Sequence, residues 1–282
     1  MVRDETLLDV RGLSVGFPGP DAQRIDVVKG IDFTVGTEKV ALVGESGSGK
    51  SLTARALLGL VPRPGQVSAG HLRLGGNDLL GLSEKQWQTL RGTRLSLVLQ
   101  DPKYSLNPVL KVGTQVEEVL VLHTRLGRRE RREKVLEMLD AVGLPNPAAL
   151  YDLYPHELSG GMGQRVMLAA MLINDPRVLI ADEPTSALDS SLRDQMLDLI
   201  MGLVEERGMG LLLISHDLPL VAKYCDRVLV MYRGNIVDRC RASELATASH
   251  PYTKTLWNCQ PSAQSYGQPL PTLDRSLLEE RQ

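Results

Sequence analysis

The sequence has little of what defines several protein classes. Of its 282 residues only three are cysteines, and no two of them have the C-x-x-C spacing, so we expect neither a disulfide framework nor a zinc site. Aromatic residues make up 4% of the chain, which leaves little surface for stacking single-stranded nucleic acid. No apolar run approaches the roughly 18 residues of a membrane span, and the charged start, Met1–Glu5, does not resemble a signal peptide. We therefore expect a cytosolic protein with reduced thiols that is neither secreted nor membrane-spanning.

The chain also lacks a strong net charge. Its formal charge is -2, with 43% hydrophobic and 23% charged residues, so bulk electrostatics favours neither nucleic acid nor anionic lipid as a partner. One basic run, 125–134, could contact nucleic acid, but Glu130 and Glu133 interrupt it. A solvated helix face is the favoured interpretation, and we predict no nucleic-acid partner.

The first quarter of the chain combines two kinds of strand. The segment Leu7–Val15 predicts a strand, 16–20 a Gly/Pro turn, and the apolar stretch 27–35 further strand structure, which together indicate an antiparallel β layer. The strand 40–43 then runs into a glycine loop and the helical pattern 51–60. This β-loop-α unit predicts a parallel sheet.

A helical region separates the first strands from the last ones. Segment 106–163 predicts a helical lobe, in which helical spacing places four apolar residues on one face, Val135, Met138, Leu139 and Val142. Buried parallel-strand patterns return at 178–181 and 211–214, with a helical pattern at 192–206 between them. The fold class is therefore α/β with a helical insertion, and the chain beyond about Arg241 is expected to be less regular.

A phosphate-binding loop lies between the strand 40–43 and the following helix. It matches G-x-x-x-x-G-K-[ST] with the residues Gly44, Glu45, Ser46, Gly47, Ser48, Gly49, Lys50 and Ser51. Glycines let backbone N–H groups close around phosphate oxygens, and Lys50 supplies a charge to the β and γ phosphates. The Ser51 hydroxyl can ligate Mg²⁺. The motif predicts binding of ATP with Mg²⁺.

Two adjacent carboxylates end the apolar strand 178–181. Because ligands bind at the carboxyl ends of the strands in such sheets, Asp182 is expected beside the phosphate loop, where it would hold Mg²⁺ directly or through water. Glu183 would polarise the water that attacks the γ-phosphate. The pair predicts nucleotide hydrolysis.

A second anion site is predicted at Leu158–Gln164. Ser159 can cap the helix that follows, and Gly160 and Gly161 leave backbone N–H groups exposed. The sequence L-S-G-G-x-x-Q is the signature of ABC ATPases, and the whole motif series, in its usual order, resembles that family over almost the entire chain. The resemblance implies a P-loop NTPase ABC nucleotide-binding domain with a parallel sheet core, an antiparallel β layer and a helical subdomain. It also implies a dimer, in which the signature of one subunit closes over ATP held by the other.

The same resemblance assigns roles to four further residues. Gln100 is similar to the glutamine that reaches the metal or the attacking water, and its loop borders the transporter docking surface. His216 resembles the switch histidine that contacts the γ-phosphate and helps to orient the catalytic carboxylate. Asp189 corresponds to the residue that communicates across the dimer interface, for which a helix cap is the alternative, and Phe17 to the aromatic residue that stacks on adenine.

Within the family, the chain resembles the importers of dipeptides, oligopeptides and nickel. Three segments carry this likeness, 100–108, 154–162 and His250–Thr253, and the second resembles the first of the two paired ATPases of such importers. The resemblance implies two membrane permeases, a second ATPase in a heterodimer and, indirectly, a periplasmic or extracellular solute-binding protein. It places the chain at the cytoplasmic face of the inner membrane as a peripheral subunit. Import of nickel or a metal chelate, an exporter subunit and a non-transport regulatory ATPase remain alternatives.

The resemblance also sets the expected domains and shows some departures. We expect a nucleotide-binding domain at 1–245, with its helical subdomain at about 106–163, and a C-terminal extension at 246–282. Leu99 stands where many relatives have Phe, and Gly163 where this subgroup has Arg. Many peptide-importer subunits carry a C-terminal cysteine cluster, whereas this tail offers only Cys259, so we predict no iron–sulfur cluster.

Overall fold

The computed structural model describes residues 6–21, 23–98, 106–186 and 188–260. The strands, in chain order, are β1 Leu8–Pro18, β2 Arg24–Val35, β3 Lys39–Val43, β4 Gln66–Ser68, β5 His71–Leu74, β6 Asn77–Asp78, β7 Leu95–Val98, β8 Val178–Asp182, β9 Gly210–Ile214, β10 Arg227–Tyr232 and β11 Asn235–Arg241. The α-helices are α1 Lys50–Leu57, α2 Glu84–Leu90, α3 Val112–His123, α4 Arg128–Ala141, α5 Pro147–Leu150, α6 Gly160–Leu172, α7 Ser190–Glu206, α8 Leu218–Tyr224 and α9 Pro251–Asn258. Within the described ranges, short 3-10 helices lie at Pro155–Glu157 and Ala242–Thr247.

The chain forms two compact units. The first combines the residues up to Leu80 with those from Leu212 onward, and the second consists of Gly81–Leu211. Each unit is built around its own part of the buried hydrophobic core, and each contains some of the predicted site residues.

The first unit contains an antiparallel sheet with the strand order β2-β1-β5-β6, and β4 also pairs with β1. Apolar residues alternate along β1, and four of them are fully buried, Leu8, Val10, Leu13 and Val15. This confirms the predicted antiparallel β layer. The predicted Gly/Pro turn is present but starts later than expected, because Gly16 and Phe17 pair with Asp26 and Ile25 of β2 and the strand continues to Pro18. The turn itself lies at Pro20 and Asp21.

The first unit also contains a second group of strands. Strand β10 lies between β11, to which it is antiparallel, and β3, to which it is parallel. Two contacts join the start of β10 to the start of β3: the Lys39 N–H donates to the Asp226 carboxylate at 2.8 Å, and Arg227 forms an ion pair with Glu38 at 2.6 Å. Strand β9 borders β3 on its other side. The phosphate loop therefore starts from a strand held by neighbours on both sides.

The end of the described chain is helical, which corrects the expectation of a less regular structure beyond Arg241. Helix α9 begins with Pro251, which suits the first turn of a helix, and it buries Tyr252 and Thr253 completely. The Thr253 hydroxyl donates to the Asp238 carboxylate of β11 at 2.5 Å. Tertiary burial of these two residues stabilises a helix that periodicity alone does not reveal.

The second unit contains the predicted helical lobe. Helices α3, α4 and α6 pack together, and the four apolar residues predicted to share one face are buried, with at most 6% of any of them exposed. In the same unit β8 is paired in parallel with β7, from Leu95 opposite Val178 to Val98 opposite Ala181. The predicted helical lobe and parallel strand pairing are confirmed.

Ion pairs and a ring contact occupy the basic run at the start of α4. Arg131 donates to Glu117 of α3 at 2.9 Å, and the Arg132 guanidinium lies 4.1 Å from the centroid of the Tyr151 ring. Arg129, whose side chain is 92% exposed, pairs with Glu133 one turn later. The run thus forms a solvated helix face, as the interspersed carboxylates predict.

Candidate functional site

The phosphate loop connects strand β3 to helix α1. Residues Val40–Val43 are fully buried, and the loop then turns through Gly44, Gly47 and Gly49, which have φ angles of 150°, 79° and 109°. A Cβ atom at Gly44 would lie 2.1 Å from the carbonyl oxygen of Met231 in β10. Only glycine fits there, because both the conformation and the close approach of another backbone exclude a side chain.

The lysine of the loop is held by the loop itself. The Lys50 side chain is only 6% exposed, and its Nζ donates to the carbonyl oxygens of Gly44 and Glu45, both at 2.9 Å. Ser46 and Gly47 are exposed, while Ser48 is buried and its Oγ has no hydrogen-bond partner among the described residues. An ammonium group and backbone N–H groups around an open loop are the donors that a polyphosphate needs.

Helix α9 also contacts the phosphate loop. The backbone N–H of Glu45 donates to the hydroxyl oxygen of Tyr252 at 3.2 Å, and the Tyr252 ring packs against Tyr232 with the centroids 4.6 Å apart. Burial raises the pKa of the Tyr252 phenol, so the hydroxyl stays neutral in the physiological range. The sequence gives no signal for this contact, because 207 residues separate its two partners.

His216 follows strand β9 in the first unit. The N–H of the preceding residue, Ser215, donates to the carbonyl oxygen of Leu42 in β3 at 3.3 Å. The next residue, Asp217, caps helix α8 by accepting the N–H of Leu220 at 3.1 Å. Strand and helix therefore fix the backbone on both sides of His216, whose side chain is exposed.

Phe17 lies near the end of strand β1, opposite Ile25 of β2. The ring is half-buried and passes close to Gly65, where an added Cβ would lie 2.7 Å from the ring, while 54% of Ile25 is exposed. A half-exposed ring beside an exposed apolar residue gives a flat surface that can stack on a nucleobase.

In the second unit, β8 carries the predicted carboxylate pair. Residues Val178–Ala181 are fully buried, and Asp182 is the last residue of the strand. Glu183 has a φ angle of 48°, a conformation that L-residues rarely adopt, and its carbonyl oxygen accepts the N–H and the hydroxyl of Ser186 at 3.2 and 3.1 Å. The tight turn directs the chain sharply away from the strand directly after the predicted base.

The predicted signature lies at the start of α6, a 13-residue helix. Ser159 caps the helix by accepting the N–H of Met162 at 3.3 Å, and Gly160 is exposed at the first position. Gln164 is 2% exposed, and its amide donates to the carbonyl oxygen of Pro184 at 3.3 Å. The N-terminus of such a helix, with an exposed glycine, favours an anion.

Asp189 caps helix α7, since its carboxylate accepts the N–H of Leu192 at 3.0 Å. The alternative interpretation of this residue as a helix cap is therefore confirmed, which leaves a communication role as a proposal. Gln100 lies outside the described residues. Within the part of the chain that the structure describes, no helix is long and apolar enough to cross a membrane.

The three cysteines have raised pKa values, and for Cys259 the Glu45 carboxylate of the phosphate loop adds to the effect of burial. Burial raises the pKa of the Cys225 thiol to about 12 and that of Cys240 to about 11, and it also raises the pKa of Cys259. Thiols with raised pKa values are neutral and weakly nucleophilic at physiological pH. None of the three has the features of a reactive cysteine.

Comparison with known proteins relates this arrangement to a family. The ABC transporter family profile matches residues 28–186. The oligopeptide transport ATP-binding protein OppD of Bacillus subtilis is 40% identical over 95% of the chain and 75% of its own length. The dipeptide transport ATP-binding protein DppD of Escherichia coli is 42% identical over 90% of the chain and 78% of its length. A putative peptide import ATP-binding protein of Brucella melitensis is 43% identical over 97% of the chain and 82% of its own length.

Solved structures give the same result for the fold. The dimeric post-hydrolysis state of the ATP-binding cassette MJ0796, bound to ADP and Pi, has a TM-score of 0.73 at 25% identity and covers 83% of this chain and 98% of that one. The protein cbiO1 of Clostridium perfringens, part of the ABC transporter complex cbiONQ, has a TM-score of 0.74 at 28% identity. The match covers 86% of this chain and 91% of that one. The predicted α/β fold of an ABC nucleotide-binding domain is confirmed. The chain is thus a member of the ABC transporter family, an ATP-binding subunit that hydrolyses ATP.

Proposed function

We propose that this ATPase energises the import of peptides or similar small solutes, as a peripheral subunit at the cytoplasmic face of the cell membrane. The observation that carries the proposal is the likeness to peptide-import ATP-binding proteins, at 40 to 43% identity over 90% or more of the chain. The buried packing of Tyr252 and Thr253 supports it, because it gives two residues of the segment that resembles peptide importers a structural purpose.

The phosphate loop is the proposed nucleotide site. Backbone N–H groups of the loop and the Lys50 ammonium bind the phosphates, and Phe17 stacks on the adenine. Ser51, on the first turn of α1, and Asp182, at the end of β8, would hold Mg²⁺, since hydroxyl and carboxylate oxygens are the donors that this ion prefers. The bound ion supplies positive charge to the phosphate oxygens.

Three residues form the proposed hydrolytic set. Glu183 accepts a proton from the attacking water, and His216 contacts the γ-phosphate and orients Glu183. Gln100 contributes a side-chain carbonyl to the metal or the water. The buried strand before Glu183 and the tight turn after it support this role, because a base needs a fixed direction to act in line.

The complete site is proposed to form between two ATPase subunits. Ser159, Gly160 and Gly161 at the start of α6 contact the γ-phosphate of ATP held by the partner, and Asp189 communicates between the two sites. The exposure of Ser159 and Gly160 supports this role, since a helix N-terminus must be accessible to meet a ligand from outside the chain. A sister ATPase is the proposed partner, with two permeases and a solute-binding protein completing the importer.

An affinity capture from membranes tests the transport function. Tagged Glu183→Gln protein is expressed in its native host, membranes are solubilised in detergent with ATP and Mg²⁺, and captured proteins are identified by mass spectrometry. We expect two permeases and a second ATPase, because a subunit that binds ATP without turnover holds the closed complex. Tagged Lys50→Ala protein is the matched control for nucleotide-dependent capture.

The solute is tested on the same assembly. Uptake of labelled di- and oligopeptides by cells that carry the wild-type chain should fall to background when Lys50→Ala replaces it. If the Lys50→Ala replacement lowers nickel uptake and leaves peptide uptake unchanged, the transported substrate is a metal instead. Capture of soluble partners alone would contradict the transport function and leave the ATPase chemistry intact.

A further inference from the structure

We infer that Tyr252 is a positioning residue for the phosphate loop, acting through its hydroxyl on the backbone of Glu45. The inference rests on the proposed role of the loop in binding ATP. The Glu45 N–H points to the Tyr252 hydroxyl at 3.2 Å, and this phenol is fully buried. A backbone donor whose acceptor is a buried, neutral hydroxyl has one defined direction.

Glu45 is held at both ends of its backbone. Its N–H is bound by Tyr252, and its carbonyl oxygen accepts Lys50 Nζ at 2.9 Å. The Lys50 ammonium must leave this carbonyl, and that of Gly44, to reach the phosphates of a bound nucleotide. The contact with Tyr252 then holds the N–H side of Glu45, while the Ser48 N–H still donates to its carbonyl oxygen at 3.2 Å, so that the following N–H groups stay directed at the phosphates.

The position of Tyr252 is itself fixed by two contacts of helix α9 and by one contact of Gln260, which lies beyond its end. The ring packs on Tyr232 at 4.6 Å and 52°, and the next residue, Thr253, donates to Asp238 of β11. Just beyond the helix, the side-chain amide of Gln260 lies 3.5 Å from the carbonyl oxygen of His216. The segment from Tyr252 to Gln260 therefore contacts both the phosphate loop and the backbone of His216, which are separate in the sequence.

The test is the variant Tyr252→Phe in the full-length chain, with Tyr232→Phe as matched control. Both changes remove one hydroxyl from the same aromatic pair and leave the rings, but only the first removes the acceptor of the Glu45 N–H. We expect Tyr252→Phe to raise the Kd for ATP about five- to tenfold. It should raise the KM for ATP of the assembled complex similarly, with little change in kcat, and Tyr232→Phe should change neither by more than about twofold.

Hydrogen–deuterium exchange gives a second readout that does not depend on activity. The Glu45 amide should exchange slowly in the wild-type chain, with and without ATP, and faster in Tyr252→Phe. Equal exchange and equal Kd in Tyr252→Phe and wild type, alongside loss of ATP binding in Lys50→Ala, would overturn the role of Tyr252. Unchanged ATP binding in Lys50→Ala would instead contradict the proposed role of the loop. If Tyr252→Phe does not fold, rapid exchange of the Glu45 amide in the wild-type chain would refute the contact.

Discussion

The side-chain amide of Gln164 donates to the carbonyl oxygen of Pro184, the residue that follows Glu183, at 3.3 Å. Gln164 lies in the first turns of α6 and is 2% exposed, so this hydrogen bond is shielded from water. It joins the helix that Ser159 caps to the turn that carries the proposed catalytic base. The hydrogen bond therefore fixes the start of α6 against the turn that follows β8.

Replacement of Glu183 by Gln should separate ATP binding from turnover. The amide keeps the size of the side chain and removes its ability to accept a proton, so we expect the Kd for ATP to be unchanged and turnover of the assembled complex to fall at least about 100-fold. Steady-state phosphate release and nucleotide binding measure the two quantities. Glu206→Gln, at an exposed carboxylate of α7, is the control, and full turnover in Glu183→Gln would contradict the assignment unless the sister subunit's site supplies it.

Asp189 offers a way to separate a helix cap from a signalling role. Asp189→Asn keeps a good capping side chain, whereas Asp189→Ala loses it and should lower the free energy of unfolding by about 1 kcal/mol. If Asp189 also communicates across the dimer, both variants should lose ATPase activity in the assembled complex. A normal ATPase rate in Asp189→Asn would show that the residue acts only as the cap of α7.

The ion pair between α3 and α4 should make stability depend on pH. Burial raises the pKa of Glu117, but the hydrogen bonds from Tyr151 and Arg131 outweigh it and leave the pKa below its ordinary value. A depressed pKa in the folded state contributes stability above the unfolded pKa, and this contribution is lost as the pH falls through the folded pKa. Tyr151, with its pKa raised to about 12, stays a proton donor throughout this range.

Glu117→Gln measures this contribution directly. At neutral pH we expect the variant to lose about 1 to 2 kcal/mol in the free energy of unfolding. The difference from wild type should shrink as the pH drops below the pKa of an ordinary carboxyl group. Denaturant unfolding at a series of pH values provides the data. Glu118→Gln, at the exposed neighbouring carboxylate, is the control, and a difference that does not change with pH would refute the electrostatic origin.

Two glycine replacements should have opposite effects on stability. Gly44→Ala places a Cβ 2.1 Å from the Met231 carbonyl oxygen at a φ of 150°, so it should cost more than about 2 kcal/mol and abolish ATP binding. Gly202→Ala, inside α7 with nothing within 4 Å, should stabilise the chain by about 0.5 to 1 kcal/mol. Thermal unfolding of both variants checks the signs, and a neutral Gly44→Ala would contradict the close approach to Met231.

The features that sequence could predict are those whose signal is contiguous. The phosphate loop, the strand that ends at Asp182 and the buried face of α4 are each encoded within about a dozen residues, because strand and helix periods repeat locally. Local signals place the start of the Gly/Pro turn too early, at Gly16, because they do not include the pairing with β2 that extends β1 to Pro18. The contact between Tyr252 and Glu45 could not be predicted from the sequence, because neither residue type nor spacing indicates a contact between residues 207 positions apart.

A similarly large sequence separation affects how the protein folds during its synthesis on the ribosome. The first unit is interrupted by the whole of the second, and the contact between Lys39 and Asp226 joins positions 187 residues apart. At typical translation speeds, the strand that leads into the phosphate loop waits roughly 10 to 40 s for its neighbour β10 to be synthesised. The second unit is complete by then, so ATP can bind a phosphate loop supported on both sides only after β10 has been synthesised.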